Sequence, residues 1–461
     1  MQLISLNFAL FWIIALILYY LFPKYQAQVL LILSLVCFYL FSAGLPLLIL
    51  IAAAVAYCYG LLSEKRKGRV PLIVTVLVLV ALLVLFRHVL TGEGDLLSFL
   101  LPALGLSYYL LSALSYCFEV YRGEILPEKN YFRLLLFLCY FPALLQGPIN
   151  RFKDLSKELT ARHTFSYQTF TFGVQRAMFG VMKKLVIVPR LLQYTDVVYQ
   201  DISEAGLYRF LLGSLFFSIG LYLDWTGYMD IILGISETFG IRLPENFRQP
   251  YFSASPSEFW KRWHFSLGQW FRDNVYIPMG GSRNGLPRQL LALFTVWVLT
   301  GIWHGAKGGY LLWGLWHAAV LMIAVLLKKS RPDRHLHKVP AVIGTILIAC
   351  IGWIPFRLQT FTGVRELGSA MLHGSFYLFR TDELLLRTVY LWQDAVILGV
   401  ALLLVLVISI LHEKGRSIRE MICRLPLPVR WILWLGLFFS VILFGVYGTD
   451  YDANSFIYML F

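Results

Sequence analysis

The chain has 461 residues, of which 59% are hydrophobic and 14% charged, and its mean hydropathy is +0.69. Soluble domains carry about 45–50% apolar and about 25% charged residues, so a water-soluble globular fold is excluded. A net charge of +14 would suit a nucleic-acid binder in a soluble protein. Here the basic residues gather in short loops between apolar runs, as the positive-inside rule expects, and no nucleic-acid partner is expected.

A membrane-crossing helix needs about 20 mainly apolar residues. Residues 5–22 form the first such run. No basic segment precedes it and no small-residue cleavage site follows, so it reads as a retained span and not as a signal peptide. The run 28–62 is too long for one span and is expected to turn near Gly44-Leu45-Pro46. Further spans are predicted at 70–87, 209–223, 339–357, 394–411 and 431–448. Three basic clusters are expected on the cytoplasmic side: Lys65-Arg66-Lys67 with Arg69; Lys328-Lys329 through Arg331, Arg334 and Lys338; and Lys414, Arg416, Arg419, Arg424 and Arg430. Counting spans from these clusters places 358–393, the N-terminus and the C-terminal Gly448–Asp452 outside.

The chain reads as one membrane-embedded domain, 1–461, with simple spans over 1–95 and 330–461 flanking a motif-bearing core at about 100–320. The lack of an internal repeat argues against a secondary transporter. The six cysteines (Cys37, Cys58, Cys117, Cys139, Cys350 and Cys423) show no ligand spacing and read as small buried hydrophobes.

In the core, polar residues interrupt the apolar runs, and ionisable groups at membrane depth face protein or a water-filled cavity. Leu223–Asp230 carries Asp224, Thr226 and Asp230. Both carboxylates can line a pathway, or can pair with arginines of the following segment and pin the packing. Residues 255–273 open like a helix, with Ser255 able to cap, Pro256 in the first turn and Glu258 three residues on. At helical spacing Trp260, His264, Leu267 and Phe271 share one face, while Glu258, Arg262, Gln269, Arg272 and Asp273 lie mainly on the other. Such a helix is either interfacial or sheltered by protein, and on pattern alone His264 suits hydrogen-bonded packing before catalysis. Asn274 begins a segment in which Gly280-Gly281 and Asn284-Gly285 signal turns, without the spacing of a phosphate-binding loop. Next comes Trp303-His304-Gly305, with His304 between Gly301 and Gly305, glycines expected to interrupt the helix, and His317 follows beyond Trp313 and Trp316. An imidazole is largely neutral at pH 7 and can take a proton from an attacking hydroxyl. The three histidines lack metal-ligand spacing and no nucleophile elbow occurs, so neither a metal site nor a serine nucleophile is expected.

Four stretches resemble the membrane-bound O-acyltransferase family, in its bacterial branch of polysaccharide O-acetylating and teichoic acid D-alanylating proteins. Leu104-Gly105-Leu106-Ser107-Tyr108-Tyr109 with Tyr116, Glu119, Val120, Tyr121, Arg122 and Gly123 is similar to "GISFxxF…YxxDVYRG", with Glu119 in place of the usual Asp. Phe141-Pro142, Gln146–Ile149 and Arg151 resemble "FPxLxxGPIxR". Asp224 to Arg248 and Pro250 resemble "DFSGYxDIAIGxxxxxGIxLPENFxxP". Ser257 to Gly281, with Trp303-His304-Gly305, resembles "SxxEFWRRWHISLSxWxRDYxYIPLGG…WHG". Val275–Gly281 favours the O-acetylating side, whereas Gly147–Phe152 is nearer the D-alanyl transfer proteins.

The resemblance implies an all-α polytopic membrane protein in which about 11 or more transmembrane or re-entrant helices surround a thin central catalytic tunnel. It implies that His304 is the general base and His264 an orienting or oxyanion-stabilising group. Asp224, Trp260, Arg272, Asp273, Asn274, Trp303 and His317 are then expected to bind substrate or line the tunnel. The implied activity moves an acyl group, foremost acetyl, from a cytoplasmic thioester to hydroxyls of an exported or cell-envelope polysaccharide. The donor is acetyl-CoA or an acyl-carrier thioester, and no tightly bound cofactor is expected. An acyl carrier protein on the cytoplasmic face and an extracytoplasmic acyltransferase or esterase-like protein are implied partners. The implied location is the bacterial inner membrane, as a multi-pass protein in the lipid bilayer. D-alanyl transfer to teichoic acid is the alternative within this chemistry, and a polysaccharide or lipid transporter or flippase is the alternative outside it.

Overall fold

The computed structural model describes residues 3–42, 44–65, 68–86, 105–200, 202–305, 307–330, 337–372 and 392–447. Among them every regular element is helical. The first run is α1 (Leu6–Leu21), and the long run does split at Gly44-Leu45-Pro46, into α2 (Gln26–Ser42) and α3 (Leu47–Lys65). There follow α4 (Arg69–Val84), α5 (Leu106–Tyr121), α6 (Phe152–Thr160) and α7 (Tyr167–Met182). A five-residue π turn, Lys183–Ile187, leads into α8 (Val188–Gln200). The long α9 (Ile202–Thr238) precedes two seven-residue helices, α10 (Pro256–Arg262) and α11 (Phe265–Phe271). The chain continues through α12 (Leu286–His304), α13 (Gly308–Ser330), α14 (Lys338–Leu358), α15 (Trp392–Glu413) and α16 (Leu427–Phe444). Among the described residues seven helices are long and apolar enough to cross a membrane: α3, α9 from Leu207, and α12 to α16. Helices α1, α2 and α4 are shorter apolar ones. Gly448–Asp452, residues 373–391, and the basic residues Arg66, Lys67, Arg331 and Arg334 lie outside the described residues.

The described chain packs as two compact units. The first comprises Met1–Ala177 and Met229–Glu245. In it Ser5 caps α1 through the Phe8 N–H (3.2 Å), and Glu119 on α5 caps α6 through the Lys153 N–H (3.1 Å). The end of α9 lies close against α7, because a Cβ on Gly234 would fall 2.5 Å from the Gly173 carbonyl oxygen. Small residues at such a crossing let two backbones approach. There Arg176 binds Asp230 (3.0 Å) and both carboxylate oxygens of Glu245 (2.7 Å each).

The second unit comprises Met178–Tyr228 and Asn246–Phe461. Its π turn holds Lys184, whose ammonium makes an ion pair with Asp224 of α9; both side chains are almost wholly buried. Lys183 lies over the Phe179 ring, 4.7 Å from its centroid, and its Nζ is 3.4 Å from the Thr226 hydroxyl. The span expected at 209–223 thus continues unbroken through Asp224 and Asp230 to Thr238. At about 1.5 Å per residue the helix reaches about 55 Å, well beyond a hydrocarbon core of about 30 Å. Within this apolar stretch the carboxylates of Asp224 and Asp230 are neutralised by the protein. Lys184 and Arg176, both from the preceding segment, hold them, where the sequence suggests arginines of the following one.

A buried ion pair that loses one member leaves an uncompensated charge, at a cost of about 3–5 kcal/mol, whereas apolar replacement of both is close to neutral. Asp224→Leu or Lys184→Met alone is expected to lower thermal stability in detergent sharply. The double substitution is expected to recover most of the loss, as a melting series of the three variants would read.

Candidate active site

The helix expected over 255–273 is broken. Its start is as the sequence predicts: the Ser255 hydroxyl accepts the Glu258 N–H (3.2 Å), while the Glu258 carboxylate accepts the Ala254 N–H (2.9 Å). The break comes at His264, which takes the left-handed conformation (φ 45°, ψ 55°) after an extended Trp263. Asn246 makes the break. Its carbonyl accepts the Phe265 N–H (2.9 Å), its side-chain oxygen accepts the Ser266 N–H (3.0 Å), and the Arg248 N–H donates to the Arg262 carbonyl (3.0 Å). The 246–248 loop therefore satisfies the end of α10 and the start of α11, groups that a continuous helix would pair internally. Trp260, His264, Leu267 and Phe271 do not form one helical face. His264 is the joint between two short helices, 4% exposed, and so sheltered by protein.

His304 lies in the last turn of α12. Of its two flanking glycines only Gly305 ends the helix. Gly301 stays inside it, where a Cβ would fall 2.8 Å from the Tyr310 carbonyl oxygen. A Cβ on Gly314 would likewise fall 2.5 Å from the Trp297 carbonyl oxygen. These two positions hold α12 and α13 together and bring His304 and His317 into one aromatic cluster.

In that cluster the Trp225 ring meets His264 edge-on, with centroids 4.3 Å apart. Trp303 lies 6.2 Å from His264 and 4.8 Å from His304. Trp313 meets His304 at 4.9 Å and His317 at 5.4 Å. Phe356 closes on His304 at 5.6 Å. The Trp260 indole N–H donates to His317 Nδ1 (3.3 Å), which leaves the proton of a neutral His317 on Nε2. His304 and His317 are each 1% exposed. Among the described residues neither ring nitrogen of His264 has a hydrogen-bond partner. The hydrogen-bonded packing expected of His264 is therefore not seen among the described residues.

The structure thus brings together His264, His304, His317, Trp260 and Trp303. Asp224 sits beside Trp225 but is engaged by Lys184. Arg272, Asp273 and Asn274 lie on a second π turn, Arg272–Tyr276, with Arg272 exposed and the other two half-buried. The predicted turns follow, with Gly280, Gly281 and Gly285 all at positive φ. Trp297, Trp353, Phe356 and Lys184 are not among the residues expected from sequence. The signal for Lys184 is present as a lysine pair inside an apolar run. For Trp353 and Phe356 it is their spacing of three, which places them on one face of α14.

A helical membrane protein with buried histidines in a tryptophan-lined cluster is the class these features define. Residues 17–350 match the membrane-bound O-acyltransferase (MBOAT) family, and the chain belongs to it. It is 35% identical over 281 residues to the "probable alginate O-acetylase" of Pseudomonas putida, covering 60% of this chain and 57% of that protein. It is 36% identical over 290 residues to the protein of the same description from Pseudomonas aeruginosa, covering 62% and 54%. With the teichoic acid D-alanyltransferase of Bacillus subtilis it shares 28% identity over 279 residues, covering 57% and 70%. The chain spans about half the length of the alginate relatives it matches.

The left-handed backbone at His264 costs a residue with a Cβ about 1–2 kcal/mol. His264→Gly is therefore expected to melt higher than His264→Ala, and equal melting of the two would show that this backbone is unstrained. Burial holds the His264 imidazole well below its usual range. The unfolded chain then binds a proton that the folded protein refuses, so this group's contribution to stability falls as pH drops below about 6.5. Thermal melts from pH 7.5 to 5 should show that slope in the native protein and a shallower one in His264→Gly.

Proposed function

We propose that the protein is an O-acyltransferase that moves an acetyl group from a thioester donor to hydroxyls of an exported or cell-envelope polysaccharide. The observation that carries this reading is the pairing of two buried histidines, His304 and His264, across the Trp303 ring. In the reaction an acceptor hydroxyl attacks the thioester carbonyl while His304 takes its proton. The tetrahedral intermediate places negative charge on the carbonyl oxygen. His264 orients the reactants or donates to that oxygen. Collapse expels the thiolate, which recovers the proton from His304. A general base supplies about 10²–10⁴ in rate, and burial strengthens the interaction with the oxyanion.

The higher identity to alginate O-acetylases than to the D-alanyltransferase supports acetyl as the group moved. In this reading the chain lies in the bacterial inner membrane, receives acetyl-CoA or an acyl-carrier thioester on the cytoplasmic side, and passes the acyl group outward to a polysaccharide or an extracytoplasmic partner. The ion pairs on Asp224 and Asp230 favour chemistry over transport, since they tie up the charges that a translocation pathway would use.

The test is to express the native protein and His304→Ala beside a host polysaccharide and to measure acetate and D-alanine released by mild base. Ester-linked acetate is expected to fall at least about a hundredfold in the variant. Equal ester from both proteins would remove His304 as the base. D-alanine in place of acetate would point to teichoic acid chemistry, and substrate translocation that survives the substitution would favour a transporter.

A further inference from the structure

The residues after 350 lie beyond the family match, yet they grip the π turn that carries Lys184. A π turn leaves carbonyl groups out of the regular helical ladder, and such turns recur at functional sites. Pro189, four residues after Leu185, has no N–H to give the Leu185 carbonyl, and donors beyond the turn reach both it and the Val186 carbonyl. The Val446 N–H donates to the Leu185 carbonyl (2.9 Å), and Arg190 donates to the Val186 carbonyl (2.8 Å). The same guanidinium nitrogen donates to the Phe444 carbonyl at the end of α16 (2.8 Å), and Arg190 Nε binds Asp394 of α15 (2.9 Å). Arg190 itself is 6% exposed, and its bonds are charge-assisted, fully buried at Val186 and partly buried at Phe444 and Asp394. A cation at a helix C-terminus also meets the negative end of its dipole. Tyr447 folds back to donate its hydroxyl to the Val441 carbonyl (2.6 Å), which fixes the strap against α16.

We propose that the strap Phe444–Val446, with Arg190, is a positioning element for the site. It holds the π turn in place, the turn holds Lys184 on Asp224, and the next residue of α9, Trp225, is thereby kept edge-on to His264. Arg190 acts through other residues and does not touch the reacting groups. The part of the inference that concerns the reaction rests on the acyl-transfer reading above; the mechanical part does not.

Val446→Pro tests it by removing one N–H from the strap, after Gly445, whose extended backbone suits a residue before proline. Hydrogen–deuterium exchange of the full-length protein in detergent is read over 183–190 and 222–228, with α5 as the control. Exchange is expected to rise in both segments and not in α5. In the transfer assay kcat is expected to fall on the order of tenfold with KM unchanged, as a small misplacement of a catalytic group would produce. Unchanged exchange overturns the clamp, and raised exchange with unchanged kcat overturns its positioning role. Should Val446→Pro not fold, Arg190→Lys keeps the charge but cannot make all three contacts, and the same two readouts decide. If the native protein transfers no acyl group, the functional reading falls, and exchange alone decides whether the strap holds the turn.

Discussion

A charged group or open helix end that this chain carries into its apolar bulk must be matched by the protein, because lipid offers it no partner. That constraint explains the architecture of both units. Asp224 is matched by Lys184, Asp230 by Arg176, and the open ends of α10 and α11 by the 246–248 loop. With these groups satisfied, α9 stays helical through Asp224 and Asp230.

The exceptions then gain meaning. His264 is buried without a hydrogen-bond partner for either ring nitrogen among the described residues, in a backbone conformation that disfavours any side chain with a Cβ. Both features cost stability, and both are held in place by Asn246 and by the surrounding rings. Strain maintained by its surroundings in this way is typical of functional sites. Glycines complete the arrangement by letting α12 and α13 approach until the aromatic cluster closes around His304 and His317.

Much of this is legible from residue order. The Ser255–Pro256 helix start, the split at Gly44-Leu45-Pro46 and the glycine turns at 280–285 follow from local chemistry, and the structure contains each of them. The break at His264 is not legible, because the helical spacing of Trp260, His264 and Leu267 is intact and only the distant Asn246 overrides it. The partners of Asp224 and Asp230 come from a segment other than the expected one for the same reason: no local pattern tells which basic residue will lie across from a carboxylate.

The sequence by itself determined that this is a helical membrane protein of the O-acyltransferase family and marked His304 and His264 as its chemical candidates. Those conclusions rest on composition, apolar run length and motifs, all of which are local. Tertiary structure alone decided which groups meet. Lys184 and Asp224 are 40 positions apart, and Arg190 and Phe444 are 254 apart. Contacts at such separations depend on how whole helices pack, and packing depends on shape and polar satisfaction across the unit rather than on any short stretch of chain.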